Sequence, residues 1–211
     1  TGKAIGMTDR RTNYFPWANV FDINKTYEEL GFKDFKHAVT GASLTKMQHP
    51  ETETFWGSKH EKAGVECKDC HMPRVKKGGK AYTWHGQKSA KYMKKDTCVK
   101  CHPSWSEKEA DYQIDAIQNY IKGKLTKAEF WLGQFIDTFA KAKAKGVSED
   151  VLKDAKKQHD TAHSYWEWWT AENSDGFHNP DAARESITKS IDASQKGIKI
   201  LNDAMTAKTA A

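Results

Sequence analysis

The sequence predicts an all-α fold, and three observations carry that prediction. From Ser106 to the end, apolar residues recur at spacings of three and four over three long stretches. Each stretch is bounded by recognisable helix start or stop signals. No run of the chain alternates apolar and polar residues over the length of a strand.

Residues 1 to about 45 read as irregular, with turn-forming Gly and Pro and scattered aromatics (Tyr14, Phe15, Trp17, Phe21). The stretch from 46 to 103 holds two copies of a cysteine motif, with Gly78-Gly79 as a loop between them. The first long helix has the seam Ile114, Ile117, Ile121, Leu125, Ala128, Leu132, Phe135, Phe139 and Ala142, and Gly146 ends it. Ser148 caps the second, with Glu149 and Asp150 favourable in its first turn. Its seam is Leu152, Ala155, His159, Ala162, Trp166 and Trp169. Asn179-Pro180 opens the third, a cap followed by Pro at the first helical position, with the seam Ile187, Ile191, Ser194, Ile198, Leu201 and Met205. Seams this narrow suit long helices packed near-parallel, either within one chain or across a dimer. Residues 1–105 and 106–211 are thus two regions of one continuous domain of a larger protein.

The repeated motif is Cys67-Lys68-Asp69-Cys70-His71 and Cys98-Val99-Lys100-Cys101-His102. C-x-x-C-H is the signature of covalent c-type haem attachment: two thiols add to the haem vinyl groups and the following His ligates the iron. The motifs use all four cysteines. A tetrathiolate zinc site needs only two C-x-x-C pairs and leaves the His unexplained twice. A dithiol redox centre needs a strand–helix context, whereas these flanks are rich in Lys and Gly. The fold class is therefore a multihaem cytochrome c, with a haem-packed irregular region followed by long antiparallel helices.

Composition agrees. Hydrophobic residues make up 37% of the chain and mean hydropathy is −0.84, poor material for a conventional core of this size. Eight Trp and nine Phe suggest a core of large aromatics around haem, which acts as a covalent staple. The net charge of +6 comes mostly from scattered Lys. Lys76-Lys77 and Lys94-Lys95 beside the motifs read first as solvated surface, and otherwise as a field attracting an anionic substrate or redox partner. No nucleic-acid motif is present. No stretch approaches the ~18 apolar residues of a membrane span. Covalent haem is attached outside the bacterial cytoplasm, so the expectation is a processed or truncated piece of an exported protein.

Each iron has two axial positions, and His71 and His102 fill the proximal ones. His37, His49, His60, His85, His159, His163 and His178 compete for the distal ones. His60 lies close to the first motif, His85 lies between the two, and His178 sits in a tight turn before the third helix. His37, His159 and His163 read as structural, the last two able to line a haem edge or bind a propionate. If His60, His85 and His178 all ligate iron, the chain has more distal ligands than haems, and the surplus serves a haem attached elsewhere. Trp56, Trp84 and Trp105 flank the haem region, with packing as their main role.

Lys46-Met47-Gln48-His49-Pro50-Glu51, then His60, Cys67–His71, His85, the second C-x-x-C-H, and Phe177-His178-Asn179-Pro180 resemble, in order and spacing, the carboxy-terminal half of the pentahaem cytochrome c nitrite reductases. These are periplasmic enzymes that reduce nitrite to ammonia with six electrons. The resemblance runs from about residue 12 to the end, and K-x-Q-H-P is its most specific part. It implies that His49 is the active-site histidine above the catalytic haem, and that the Lys46 carbonyl and Gln48 side chain ligate calcium. It further implies that His71 and His178 hold the fourth haem, His102 and His60 the fifth, and that His85 serves the second, bound upstream. It also implies a homodimer through the long helices, and an electron donor that is either a membrane-anchored quinol-oxidising cytochrome or a small soluble one. The family's C-x-x-C-K motif and remaining active-site residues are absent from these 211 residues. The chain is thus expected to be part of a five-haem enzyme. The competing readings are a dihaem electron carrier and another multihaem nitrogen or sulfur oxidoreductase.

Overall fold

The computed structural model describes residues 19–210; Tyr14, Phe15 and Trp17 lie outside them. The three long helices form as expected: α6 Glu107–Ala144, α7 Glu149–Ala171 and α8 Pro180–Ala210. The Ser106 hydroxyl accepts the Glu109 N–H at 3.1 Å and so caps α6. Gly146 takes the left-handed φ of 68° that stops it. The short link to α7 makes the two helices antiparallel neighbours, and α8 packs along both. The seam that suited either a bundle or a dimer is used inside the chain. Ile114, Ile121, Ala128, Leu132, Phe135, Phe139 and Ala142 of α6 are all buried.

The core falls into linked clusters along the bundle. At the α6–α7 turn, Phe135, Phe139 and Leu152 pack on Leu201 and Met205. At the other end, Ile121, Ala128, Trp168, Trp169, Ile187 and Ile191 enclose residues from outside the bundle: Val20, Ile23, Met47 and Trp56. That second cluster fastens the motif-bearing segment to the helices.

Small residues let α7 and α8 come close. Ser186 and Ser190 donate to the carbonyls of Tyr165 (2.8 Å) and Ala162 (2.7 Å), with Ser194 buried one turn on. Gly197 continues this contact toward α6: a Cβ there would lie 2.2 Å from the Phe135 ring. Alanine favours a helix interior over glycine by about 1 kcal/mol, but overpacking costs about 1–3 kcal/mol. Gly197→Ala is therefore expected to lower stability, read as a lower denaturant midpoint. An unchanged or raised midpoint would contradict the tight packing.

Two expectations are corrected. The stretch before residue 45 contains a three-turn helix, α1 Val20–Leu30. The Asn19 side chain accepts the N–H groups of Phe21 (2.9 Å) and Asp22 (3.1 Å), and Gly31 ends the helix at φ 64°. Two antiparallel ribbons also form: β1 Phe35–Lys36 with β2 Ser43–Leu44, and β3 Arg74–Lys77 with β4 Lys80–Thr83. The second turns through Gly78-Gly79, both at positive φ, as a two-residue hairpin turn requires. The shorter helices are α2 Glu51–Phe55, α3 Lys59–Lys62, α4 Cys67–His71 and α5 Cys98–Cys101. Among the described residues no helix is long and apolar enough to cross a membrane.

Candidate haem-binding and substrate site

Each C-x-x-C-H motif forms one short helical turn, which puts its two cysteines on one side with the His at or just past the end. For α4 the turn is set by Glu66 and Asp69, which bond each other's backbone N–H in a capping box. All four cysteines are free thiols. Cys70 is pushed up to about 11 by burial and by the neighbouring Cys98, Asp69, Cys101 and Cys67, so the two motifs lie side by side.

The imidazoles pair across this region. The rings of His71 and His178 are 6.2 Å apart, centroid to centroid, and those of His60 and His102 are 6.4 Å apart. Two metal–imidazole bonds of ~2 Å plus two ring radii of ~1.2 Å give roughly 6.4 Å, so each pair has the spacing that one iron between them needs. Among the described residues no group of three or more His, Cys, Asp or Glu could hold a metal ion unaided. A porphyrin, which supplies four nitrogens itself, asks for no more than two. The residues present therefore fit haem.

The supporting contacts are specific. His71 Nδ1 lies 3.1 Å from the Lys88 carbonyl. That bond places the proton on Nδ1 and leaves Nε2 for a metal. His102 stacks on Trp105 at 4.1 Å and 10°. His178 stands in a turn where Glu172 accepts the N–H groups of Ser174 and Gly176, and Ser174 accepts the His178 N–H at 2.9 Å. Burial and the neighbouring His71 pull His178 down to about 4, which keeps it neutral and able to donate a lone pair. Asn179 joins this turn to the core: its Nδ2 donates to the Trp56 carbonyl at 3.1 Å, and its Oδ1 accepts the Ala182 N–H at the start of α8. His85 is exposed beyond β4 and has no imidazole neighbour among the described residues.

The K-x-Q-H-P segment runs beside α7. Met47 is buried in the core, so Lys46 and Gln48 on either side face outward, lining an open cleft of about 680 Å³ with Asp34 and Phe35. Asp34 accepts the Lys46 N–H at 2.8 Å. From α7, His163 and Glu167 lie against this segment, 3.5 Å apart between Nε2 and Oε2, with burial the main influence on both side chains and the Thr45 and Met47 backbone close beside them. The spacing of His159, His163 and Glu167, one turn apart each, was the signal that could have flagged this supporting face. His49 is exposed and has φ +49°, a left-handed backbone at a non-glycine residue preceding a proline. Such strain persists only where the surroundings impose it, and it gathers at functional sites. Lys46 and Gln48 offer two oxygen donors, and calcium takes six to eight. The described residues alone do not make a calcium site.

His37, His159 and His163 form a separate group between α7 and the first ribbon. The rings of His37 and His159 are 4.8 Å apart, and His159 Nδ1 meets the Thr40 hydroxyl at 2.8 Å. His159 is 1% exposed and packs on Phe135, which seals it from a haem edge. Burial, then the neighbouring His37 and His163, pull it down to about 3 from an ordinary 6.5. Between those values the unfolded chain binds a proton that the folded one does not, so acid destabilises the fold. Acidification from pH 6.5 to 5 should cost roughly 2 kcal/mol through this residue. His159→Gln should flatten the loss in denaturation series at pH 7, 6 and 5, and an undiminished slope would contradict it.

A model of the cytochrome c552 family matches residues 3–211. The chain belongs to the cytochrome c552 family. Membership implies covalently bound haem c, which the motifs supply. Among relatives, cytochrome c-552 of Haemophilus influenzae (strain Rd) is 32% identical over 190 residues, covering 84% of this chain and 34% of that protein. Cytochrome c-552 of Parabacteroides distasonis is 30% identical over 187 residues, covering 84% and 36%. The cytochrome c552 chain thus spans about a third of the length of these relatives. Its fold matches that of the cytochrome c nitrite reductase catalytic subunit of Desulfovibrio desulfuricans, described with two calcium sites, with a TM-score of 0.84 and 29% identity, covering 91% of this chain and 44% of that one. The outer cell wall cytochrome OcwA matches less closely, with a TM-score of 0.51 and 28% identity over 76% of this chain. An all-α multihaem cytochrome c fold like that of the reductase is thereby established.

Proposed function

We propose that this chain is the carboxy-terminal part of a periplasmic pentahaem nitrite reductase that forms ammonia. The observation that carries the proposal is the pairing of His71 with His178 and of His60 with His102 at iron-bridging distances, beside a strained His49 in K-x-Q-H-P. Cys67, Cys70, His71 and His178 would hold one haem, and Cys98, Cys101, His102 and His60 another. His85 would serve a third haem, attached elsewhere. When bound, the haems supply iron that takes and passes single electrons.

The chain's own residues do the rest. His49, exposed next to the cleft-lining Gln48, would donate a ring N–H to a nitrite oxygen and deliver protons as N–O bonds break. Lys46 adds positive charge close by, which favours an anion over neutral competitors. Asp34 holds the backbone leading to His49 by accepting the Lys46 N–H, and His163 and Glu167 pack behind it from α7. Lys46 and Gln48 would contribute part of an oxygen set for calcium, completed by residues outside this chain.

The reaction consumes six electrons and eight protons per nitrite, giving ammonium and two waters. The mature, haem-loaded protein supplied with reduced methyl viologen should therefore oxidise six viologens for each ammonium released. A protein that takes up electrons but returns no ammonium from nitrite would be an electron carrier or another oxidoreductase. The homodimer would use the outer face of α6, where Tyr112, Tyr120 and Phe130 stand exposed. Tyr120→Glu with Phe130→Glu should sediment as a monomer, and a persistent dimer would move the interface elsewhere.

A further inference from the structure

The stretch from His71 to Lys95 carries eight Lys and Arg and no Asp or Glu, whereas the whole chain carries only +6. The positive charge of this protein is thus concentrated in one place, and the remainder is slightly acidic. Two of the eight are answered at home: Lys91 pairs with Asp115 and Lys94 with Asp111, both on α6. Arg74, Lys76, Lys77, Lys80, Lys88 and Lys95 pair with no carboxylate among the described residues and are exposed.

Four of these six sit on the β3–β4 hairpin. It leaves α4 after only Met72 and Pro73 and is closed at its base by the Trp84 N–H on the Pro73 carbonyl at 2.9 Å. Nearly all of it is exposed on both faces, so it projects as a finger and makes no cleft for a small anion. Its register sets Lys77 opposite Lys80 and Val75 opposite Tyr82. Like charges directly opposite destabilise a ribbon, and an opposing anionic surface removes that cost. Tyr82, 43% exposed on the same face as the two lysines, is the kind of residue that anchors protein interfaces.

We propose that the Arg74–Thr83 hairpin, with Lys88 and Lys95, is the docking surface for an acidic electron-donor protein. This rests on the reading of the chain as an electron-accepting multihaem cytochrome. The charge complementarity steers the encounter, and the hairpin's origin at the first C-x-x-C-H turn brings the donor to the haem region. Each productive encounter oxidises the donor by one electron and reduces one haem iron from ferric to ferrous, with no bond made or broken.

The test uses the mature haem-loaded protein in stopped flow. The probe is a reduced plant-type [2Fe–2S] ferredoxin, an acidic one-electron donor, with reduced methyl viologen, a small dication, as comparison. Haem reduction by ferredoxin should slow steeply with salt. Lys76→Glu/Lys77→Glu/Lys80→Glu should lower the low-salt rate by about tenfold or more and flatten the salt dependence. The corresponding three Arg substitutions should keep both, and viologen rates should not change. Equal ferredoxin rates in the parent and the reversed variant overturn the proposal. So does a loss shared by viologen, which needs no docking, or preferential retention of a thymidine oligonucleotide over ferredoxin. Failure to reduce nitrite would remove the catalytic reading while leaving this measurement intact.

Discussion

Replacing His49 with glycine should abolish most ammonia formation while leaving the fold at least as stable. Loss of a positioned general acid costs typically about 10²–10⁴-fold in rate, so turnover with viologen should fall by that factor. Stability should move the other way. A left-handed backbone costs an L-residue roughly 1–2 kcal/mol, and His49 bears that cost at φ +49°. Glycine occupies the region freely; alanine does not. His49→Gly and His49→Ala should therefore lose the same activity, yet the glycine variant should unfold at higher denaturant, by about 1 kcal/mol. Retention of a tenth or more of the activity in both would remove the imidazole from the mechanism. A glycine variant less stable than the alanine one would mean that the backbone is not strained.

The second large effect concerns His178. If His178 and His71 hold one haem between them as proposed, His178→Ala should convert that haem from low-spin to high-spin, read by electron paramagnetic resonance and magnetic circular dichroism. The fold should survive, because the turn keeps its backbone bonds to Glu172 and Ser174. Nitrite turnover should drop by at least the ~10–100-fold that loss of an outer-shell metal partner costs. Added imidazole should enter the space left and restore the low-spin signal. An unaltered spectrum would show that another residue completes this iron.

The bundle was legible because its evidence is local. A seam at spacings of three and four, a cap and a Gly or Pro stop lie within each helix, and burial followed them from Ile114 to Met205. Helix α1 escaped because it is short and buries only Val20 and Ile23, although Asn19 and Gly31 mark its ends. The basic hairpin escaped because neither face is buried, so no alternation arises; only Gly78-Gly79 betrays it. The C-x-x-C-H motifs announced the haems, and a ligand surplus was countable. Which distal histidine meets which proximal one is a tertiary fact, and the residues alone left it open. The one-turn spacing of His159, His163 and Glu167 marked one face of α7, but that this face packs behind the 45–48 segment is again a tertiary fact.

Asn179 has a bearing on how the protein matures. Its side chain starts α8 and also grips the Trp56 carbonyl 123 residues earlier, and His178 is its neighbour. The cysteines and their proximal histidines are complete within five-residue stretches, with Cys67 and Cys101 exposed. The distal imidazole beside His71 waits on the docking of the last helix, a closure of most of the chain's length with its own entropic delay. On the proposed ligation, Cys67, Cys70 and His71 would be available to a haem before His178 is brought beside His71. His178 would then be the last of the haem-holding residues to reach its place, recording that the bundle is assembled. A chain truncated before α8 would carry its haems and still show an open iron, distinguishing a failure of assembly from a failure of haem delivery.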